Sequence, residues 1–107
     1  MELSEKKCKP CEGGTPPLNE SEIAEIKKQI ADEWQVAGNK KISKEYKFVN
    51  FKHTMDFVNK VAGLAEEEGH HPDMYVSYGK VVIDLWTHAI GGLSENDFIM
   101  AAKIDKL

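Results

Sequence analysis

Between Val81 and Thr87 the chain alternates strictly: Val81, Ile83 and Leu85 fall on one parity and Val82, Asp84 and Trp86 on the other. Side chains of a β-strand point to opposite faces with a period of two, so this segment is a strand with one aliphatic face and one mixed face. Its natural partner is Met74 to Tyr78, across Gly79-Lys80, a pair that suits a two-residue turn with glycine first. Trp34 to Ala37 and Ile42 to Val49 form a second such pair across Gly38-Asn39-Lys40. There Ile42, Tyr46 and Phe48 share one parity and Ser43, Glu45 and Lys47 the other.

The segments around the hairpins change to helical period. Asn19 followed three residues later by Glu22 reads as a capping box, with Leu18 and Ile23 as its hydrophobic staple. Ile23, Ile26, Ile30 and Trp34 then form one apolar stripe on a helix ending near Glu33. Asn50 can cap a second helix with Met55, Val58, Ala62 and Ala65 along one face, widened by Phe57, Val61 and Leu64 and stopped by Gly69. Ser94 and Asp97 open a last helix carrying Phe98, Ala101, Ala102 and Ile104. The order α-β-β-α-β-β-α predicts an α+β fold, an antiparallel four-stranded sheet with helices packed on one face.

With 107 residues, 41% hydrophobic and 30% charged, the chain has the profile of one globular domain. A core this small gains from pairing with a second copy, so a homodimer or homotetramer is expected. Net charge is -4, and the 14 basic residues are scattered, which argues against direct nucleic-acid binding. There is no apolar run of roughly 18 to 20 residues to cross a membrane, and Met1 to Lys6 lacks the apolar stretch of a signal peptide. A cytoplasmic protein is expected. Residues 1–17 read as a flexible N-terminal arm and residues 18–107 as the folded domain. Cys8 and Cys11 form one C-x-x-C, half the usual ligand set of structural zinc, among Pro10, Gly13, Gly14, Pro16 and Pro17. The pattern suits incidental thiols on a mobile arm; a metal site completed by another subunit and redox work stay open beside it.

Chemistry concentrates in the histidines. His70 and His71 follow a helix end and precede Pro72, which holds the residue before it extended, so their side chains diverge. With Gly79-Lys80 as the turn, Tyr78 faces Val81 and His71 comes opposite His88, where paired Cβ atoms are about 5 Å apart. His88 lies on the parity away from the aliphatic row and is no core filler. Imidazoles titrate near neutrality, so a cluster of three supplies acid and base together. Metal binding and simple helix-end packing are the competing readings. His53 reads as a surface histidine and Asp97 as a helix cap. Glu66, Glu67 and Glu68 read as a solvated face from which Glu66 reaches the His70 end. Trp86 either packs or stacks on a flat ring.

The stretch Glu66-Glu67-Glu68-Gly69-His70-His71-Pro72, followed by Tyr78, His88 and Asp97, resembles the signature of the pterin-4a-carbinolamine dehydratases. The likeness runs from about Leu18 to Lys106, including Thr87-His88 and Gly92-Leu93-Ser94, and the Cys8 to Gly14 arm resembles the start of many bacterial members. The resemblance implies the element order above and an enzyme that dehydrates a 4a-hydroxytetrahydropterin to the quinonoid dihydropterin in tetrahydropterin recycling, without metal or redox cofactor. It assigns catalysis to His70, His71, His88 and Asp97. It places Glu66, Gly69, His70, His71, Trp86, Thr87, His88 and Ala89 around the pterin. The chain departs from the animal pattern at Gly69, where aspartate is common, and at Trp86 and Ala89. Animal members also act as dimerisation partners of a transcription factor, so an interaction protein is the alternative, as is a pterin-binding protein linked to molybdenum cofactor metabolism.

Overall fold

A computed structural model of the chain describes residues 2–10 and 15–107. In chain order the elements are α1 (Glu20–Lys27), β1 (Gln35–Ala37), β2 (Lys41–Lys47), α2 (Phe51–Glu68), β3 (Asp73–Ser77), β4 (Lys80–Leu85) and α3 (Glu95–Ile104). Short 3-10 turns stand at Leu3–Glu5 and His88–Ile90. The four strands form one antiparallel sheet in the order β1-β2-β4-β3. This is the α+β arrangement that the two periodicities predict.

The alternation decides which face is covered. Register sets Ile42 opposite Leu85 and Tyr46 opposite Val81, and Ile42, Val81, Ile83 and Leu85 are all fully buried against Val61, Phe98, Ile99 and Met100. Each such aliphatic side chain contributes about 1.5–3 kcal/mol on burial. The other face carries Tyr75, which is exposed, and Asp84, which is 5% exposed. Asp84 is shielded by the Ser43 hydroxyl at 2.5 Å and the Lys41 ammonium at 3.1 Å. Its carboxylate holds Lys41 above the usual lysine value.

Three expectations shift. The first helix stops at Lys27, not near Glu33. Lys28, Gln29 and Ile30 bond three residues back, to Glu25, Ile26 and Lys27, and this tighter turn still delivers Ile30 and Trp34 to the core. On α2 the buried residues are Thr54, Val61 and Ala65, with Phe57, Val58 and Leu64 beside them, so the face is centred away from Met55 and Ala62. The second hairpin turns at Tyr78-Gly79, with Ser77 opposite Lys80, one residue earlier than the glycine-first reading. Glycine stands there because of a close approach: the Phe48 N–H donates to the Gly79 carbonyl at 2.8 Å, and a Cβ on Gly79 would lie 2.8 Å from the Phe48 oxygen. The ladder ends at Asp73 opposite Asp84, so the His71–His88 pairing expected from counting is not made.

Both expected N-caps of the first two helices are present: Asn19 and Glu22 bond reciprocally, and Asn50 accepts the His53 N–H at 2.8 Å. Gly69 ends α2 at φ +66, in the left-handed region that favours glycine. At the far end of α3, Asp105 pins helix to sheet. It accepts the Trp34 indole N–H at 2.8 Å, the Tyr46 hydroxyl at 2.5 Å and the Lys44 ammonium at 2.7 Å. Burial, then this bond, pushes the Tyr46 hydroxyl far above its ordinary pKa.

Residues 2–10, read from sequence as part of a flexible arm, lie against α2 and α3. Leu3 is 3% exposed within the core, and the Cys8 N–H donates to Glu68 at 2.9 Å. Proline and glycine within the wider stretch 1–17 suggested mobility, but Leu3 gains burial and the backbone of Cys8 and Lys9 gains side-chain partners. Cys11 lies outside the described residues. Burial first, and the Glu68 carboxylate second, push the Cys8 thiol up to about 12. Two tests follow from this packing. Asp105→Ala leaves the buried Trp34 N–H without its acceptor and is expected to cost about 1–3 kcal/mol in urea unfolding; an unchanged midpoint would remove the pin. In a Cys11→Ser chain at pH 8, Cys8 is expected to react with iodoacetamide at least about 100-fold more slowly than in the urea-unfolded chain, because the thiolate is the nucleophile. Equal rates would show the segment to be undocked.

Candidate active site

The Gly69 cap turns the chain out of α2, and Pro72 follows, so His70 and His71 lie on a short extended link whose side chains part. His70 turns inward, with its side chain 11% exposed; His71 turns outward at 62%. On the facing side, β4 ends at Leu85 and the chain bends back through the 3-10 turn His88–Ile90, closed by a bridge between Thr87 and Gly92. The Thr87 N–H donates to the Gly92 carbonyl at 2.8 Å. Gly92 is packed so closely that a Cβ there would lie 2.7 Å from the Pro17 Cβ.

Between these two segments lies a cleft of about 250 Å³. Gly69, His70 and His71 form one wall, and Trp86, Thr87, His88 and Ala89 form the other. The convergence expected of the three histidines is therefore present, although it arises from the bend after β4 and not from ladder pairing. Trp86 leans on His88, with ring centroids 3.9 Å apart, and its indole N–H is held by Asp73 at 3.2 Å. Glu66 does not line the cleft; it reaches it through His71, with its Oε2 2.5 Å from His71 Nε2. Tyr78 sits exposed at the hairpin turn, away from the lining, and His53 lies exposed at the start of α2.

Asp97 is the buried anchor of the site, at 0% exposed. Oδ2 accepts the Ser94 N–H at 2.9 Å, as an N-terminal cap requires, and also the Thr87 hydroxyl at 2.9 Å. Oδ1 lies 2.6 Å from His70 Nε2. An ionised carboxylate only accepts, so in that state of Asp97 the proton of this pair sits on His70 Nε2. Helix cap and histidine partner are thus one group. The family resemblance implies a substrate contact for Thr87; the structure gives it the Asp97 contact, at 4% exposed. Its parity with Val81, Ile83 and Leu85 carried that signal. Asp73 and its hold on Trp86 were not anticipated. Among the described residues no group of three His, Cys, Asp or Glu side chains is arranged to hold a metal ion. None of the helices described is long and apolar enough to cross a membrane.

The fold agrees with what comparison with known proteins finds. The family model for pterin 4 alpha carbinolamine dehydratase matches residues 16–107, and the chain belongs to that family. A Rickettsia canadensis protein provisionally named pterin-4-alpha-carbinolamine dehydratase is 52% identical over 103 residues, covering 96% of this chain and 94% of that one. An Alkaliphilus metalliredigens protein with the same provisional name is 53% identical, covering 97% and 94%. The crystal structure of a transcriptional coactivator/pterin dehydratase from Brucella melitensis superposes with a TM-score of 0.78 at 34% identity, over 84% of this chain and 96% of that one. A pterin dehydratase-like protein described as a RuBisCO assembly factor in the alpha-carboxysome gives a TM-score of 0.60 at 26% identity, over 69% and 87%.

Replacing Asp97 with Asn keeps one acceptor oxygen but puts an NH2 donor where His70 or the Thr87–Ser94 pair donates. The variant is expected to lose about 1–3 kcal/mol of stability by urea unfolding. No loss would mean that these bonds do not hold the site together.

Proposed function

We propose that this chain dehydrates a 4a-hydroxytetrahydropterin to the quinonoid dihydropterin, releasing water, by histidine acid/base catalysis. The observation that carries the reading is the buried Asp97–His70 pair at 2.6 Å, set into a cleft that also holds His71 and His88. Family membership and the relatives' names support it.

The reaction asks for one proton to leave N5 and one to reach the departing 4a-hydroxyl. The C4a–O bond breaks, the N5 electron pair forms the C4a=N5 bond, and no electrons leave the pterin. A positioned acid and base contribute typically 10²- to 10⁴-fold to such a step. His70 and His71 are the acid and base pair. Asp97 fixes which nitrogen of His70 is protonated, and Glu66 steadies His71 at the cleft mouth. His88 assists proton handling from the opposite wall, with its ring set by Trp86. The flat walls offered by Trp86 and His88 suit a fused planar ring, and the lining backbone from Gly69 to His71 and from Trp86 to Ala89 orients it. The coactivator and assembly roles by which the two structural relatives are described belong to those proteins; a histidine cleft with a buried carboxylate favours chemistry here.

The test generates the 4a-hydroxytetrahydropterin in a stopped-flow cell and follows its dehydration by ultraviolet absorbance, with chelator present. The native chain is expected to accelerate the reaction, and His70→Ala and His71→Ala to lower kcat/KM by about 10²- to 10⁴-fold. A native chain no faster than the spontaneous reaction would overturn the reading.

A further inference from the structure

The residues beside the two buried members of the site share a partner outside it. Glu68, two positions before His70, accepts the Cys8 N–H at 2.9 Å. Asn96, directly before Asp97, accepts the Lys9 N–H at 2.9 Å and donates its amide to the Lys9 carbonyl at 2.5 Å. Two consecutive residues of the N-terminal segment therefore tie the end of α2 to the start of α3. Consecutive Cα atoms are about 3.8 Å apart, so the tie leaves little freedom in the separation of the two helix ends. Lys103 on α3 adds a second link, with its Nζ 3.7 Å from Glu68 Oε2 and donating to the Ser4 carbonyl at 3.1 Å. Leu3, buried in the core, anchors the segment.

The His70–Asp97 bond spans the same gap. Asp97 is fixed to α3 by Ser94 and to the end of β4 by Thr87, whereas His70 belongs to the end of α2. No bond within either element sets the distance between them, and a hydrogen bond of this kind weakens within a few tenths of an ångström. Glu68 is suited to the task. Its burial alone would raise its pKa, but the Cys8 N–H, Lys103 and Lys7 together hold it below the usual glutamate value. It is therefore a charged acceptor at neutral pH, and its side chain is only 3% exposed.

We propose that Glu68 and Asn96 are positioning residues for the dehydration: through the backbone of Cys8 and Lys9 they clamp α2 to α3 and so set the His70–Asp97 geometry. This rests on the proposed dehydratase activity for its kinetic consequence, and on the clamp alone for its structural one.

The test compares the full-length chain with Asn96→Ala, Glu68→Gln and, as control, Glu67→Gln, an exposed neighbour on the same turn of α2. Three quantities are read: kcat and KM for the 4a-hydroxytetrahydropterin, thermal unfolding, and the downfield Nε2–H resonance of His70 in histidine-labelled protein. Asn96→Ala is expected to lower kcat about 10- to 100-fold, the range a small misplacement costs, while KM changes less than about two-fold. The His70 resonance should shift or broaden with the fold retained. Glu68→Gln, which keeps an acceptor oxygen, should fall between this and the unchanged Glu67→Gln control. If kcat and the resonance stay native in both clamp variants, the proposal is overturned and the contacts serve only to anchor residues 2–10. Should Asn96→Ala unfold, Glu68→Gln decides by the same criteria. Inactivity of the native chain would instead remove the dehydratase reading. The resonance needs no substrate and would still decide the clamp.

Discussion

Asp97 is fully buried, and a carboxylate removed from water costs several kcal/mol unless its oxygens are bonded. One oxygen is taken by the Ser94 N–H and the Thr87 hydroxyl, and the other faces the His70 ring nitrogen. The group that starts α3 thereby also fixes an imidazole from the end of α2 and the strand end that forms the opposite wall. Three separate parts of the chain meet at one side chain, and the cleft is what their meeting encloses.

The other end of the same helix is held in a similar way. Asp105 takes donors from Trp34, Tyr46 and Lys44, so α3 is fixed to the sheet at its C-terminal end and to the cleft at its N-terminal end. Asp97 and Asp105 stand eight positions apart, about 12 Å along the helix axis. The aliphatic row of β4 packs under this helix while the polar parity faces away. The site is therefore supported by a rigid element and does not rest on its loops alone.

Much of this was legible in the sequence, because the signals are local. Periods of two and of three to four separated strands from helices, and Asn19, Asn50, Gly69 and Ser94 marked helix ends. The His70-His71-Pro72 link and His88 pointed to one cleft. What sequence missed depends on tertiary closeness. Gly79 stands in its turn because of Phe48, a residue of the neighbouring strand region, so a rule for isolated turns misplaced the turn by one residue and the strand pairing by two. The first helix was read too long because Ile30 and Trp34 keep a helical spacing even after the chain has tightened. The docking of residues 2–10 rests on Glu68 and Asn96, whose side chains bond backbone about 60 or more positions away.

On the proposed function, the cleft between residues 69–71 and 86–89 receives a pterin ring with its reacting edge toward the histidines. The most direct test is to titrate a stable 7,8-dihydropterin into the histidine-labelled chain and follow the imidazole resonances. His70, His71 and His88 are expected to shift together and saturate with one affinity, while the exposed His53 stays fixed. Perturbation of His53 alone, or saturation without movement of the three cleft histidines, would place the pterin elsewhere and overturn the proposed site.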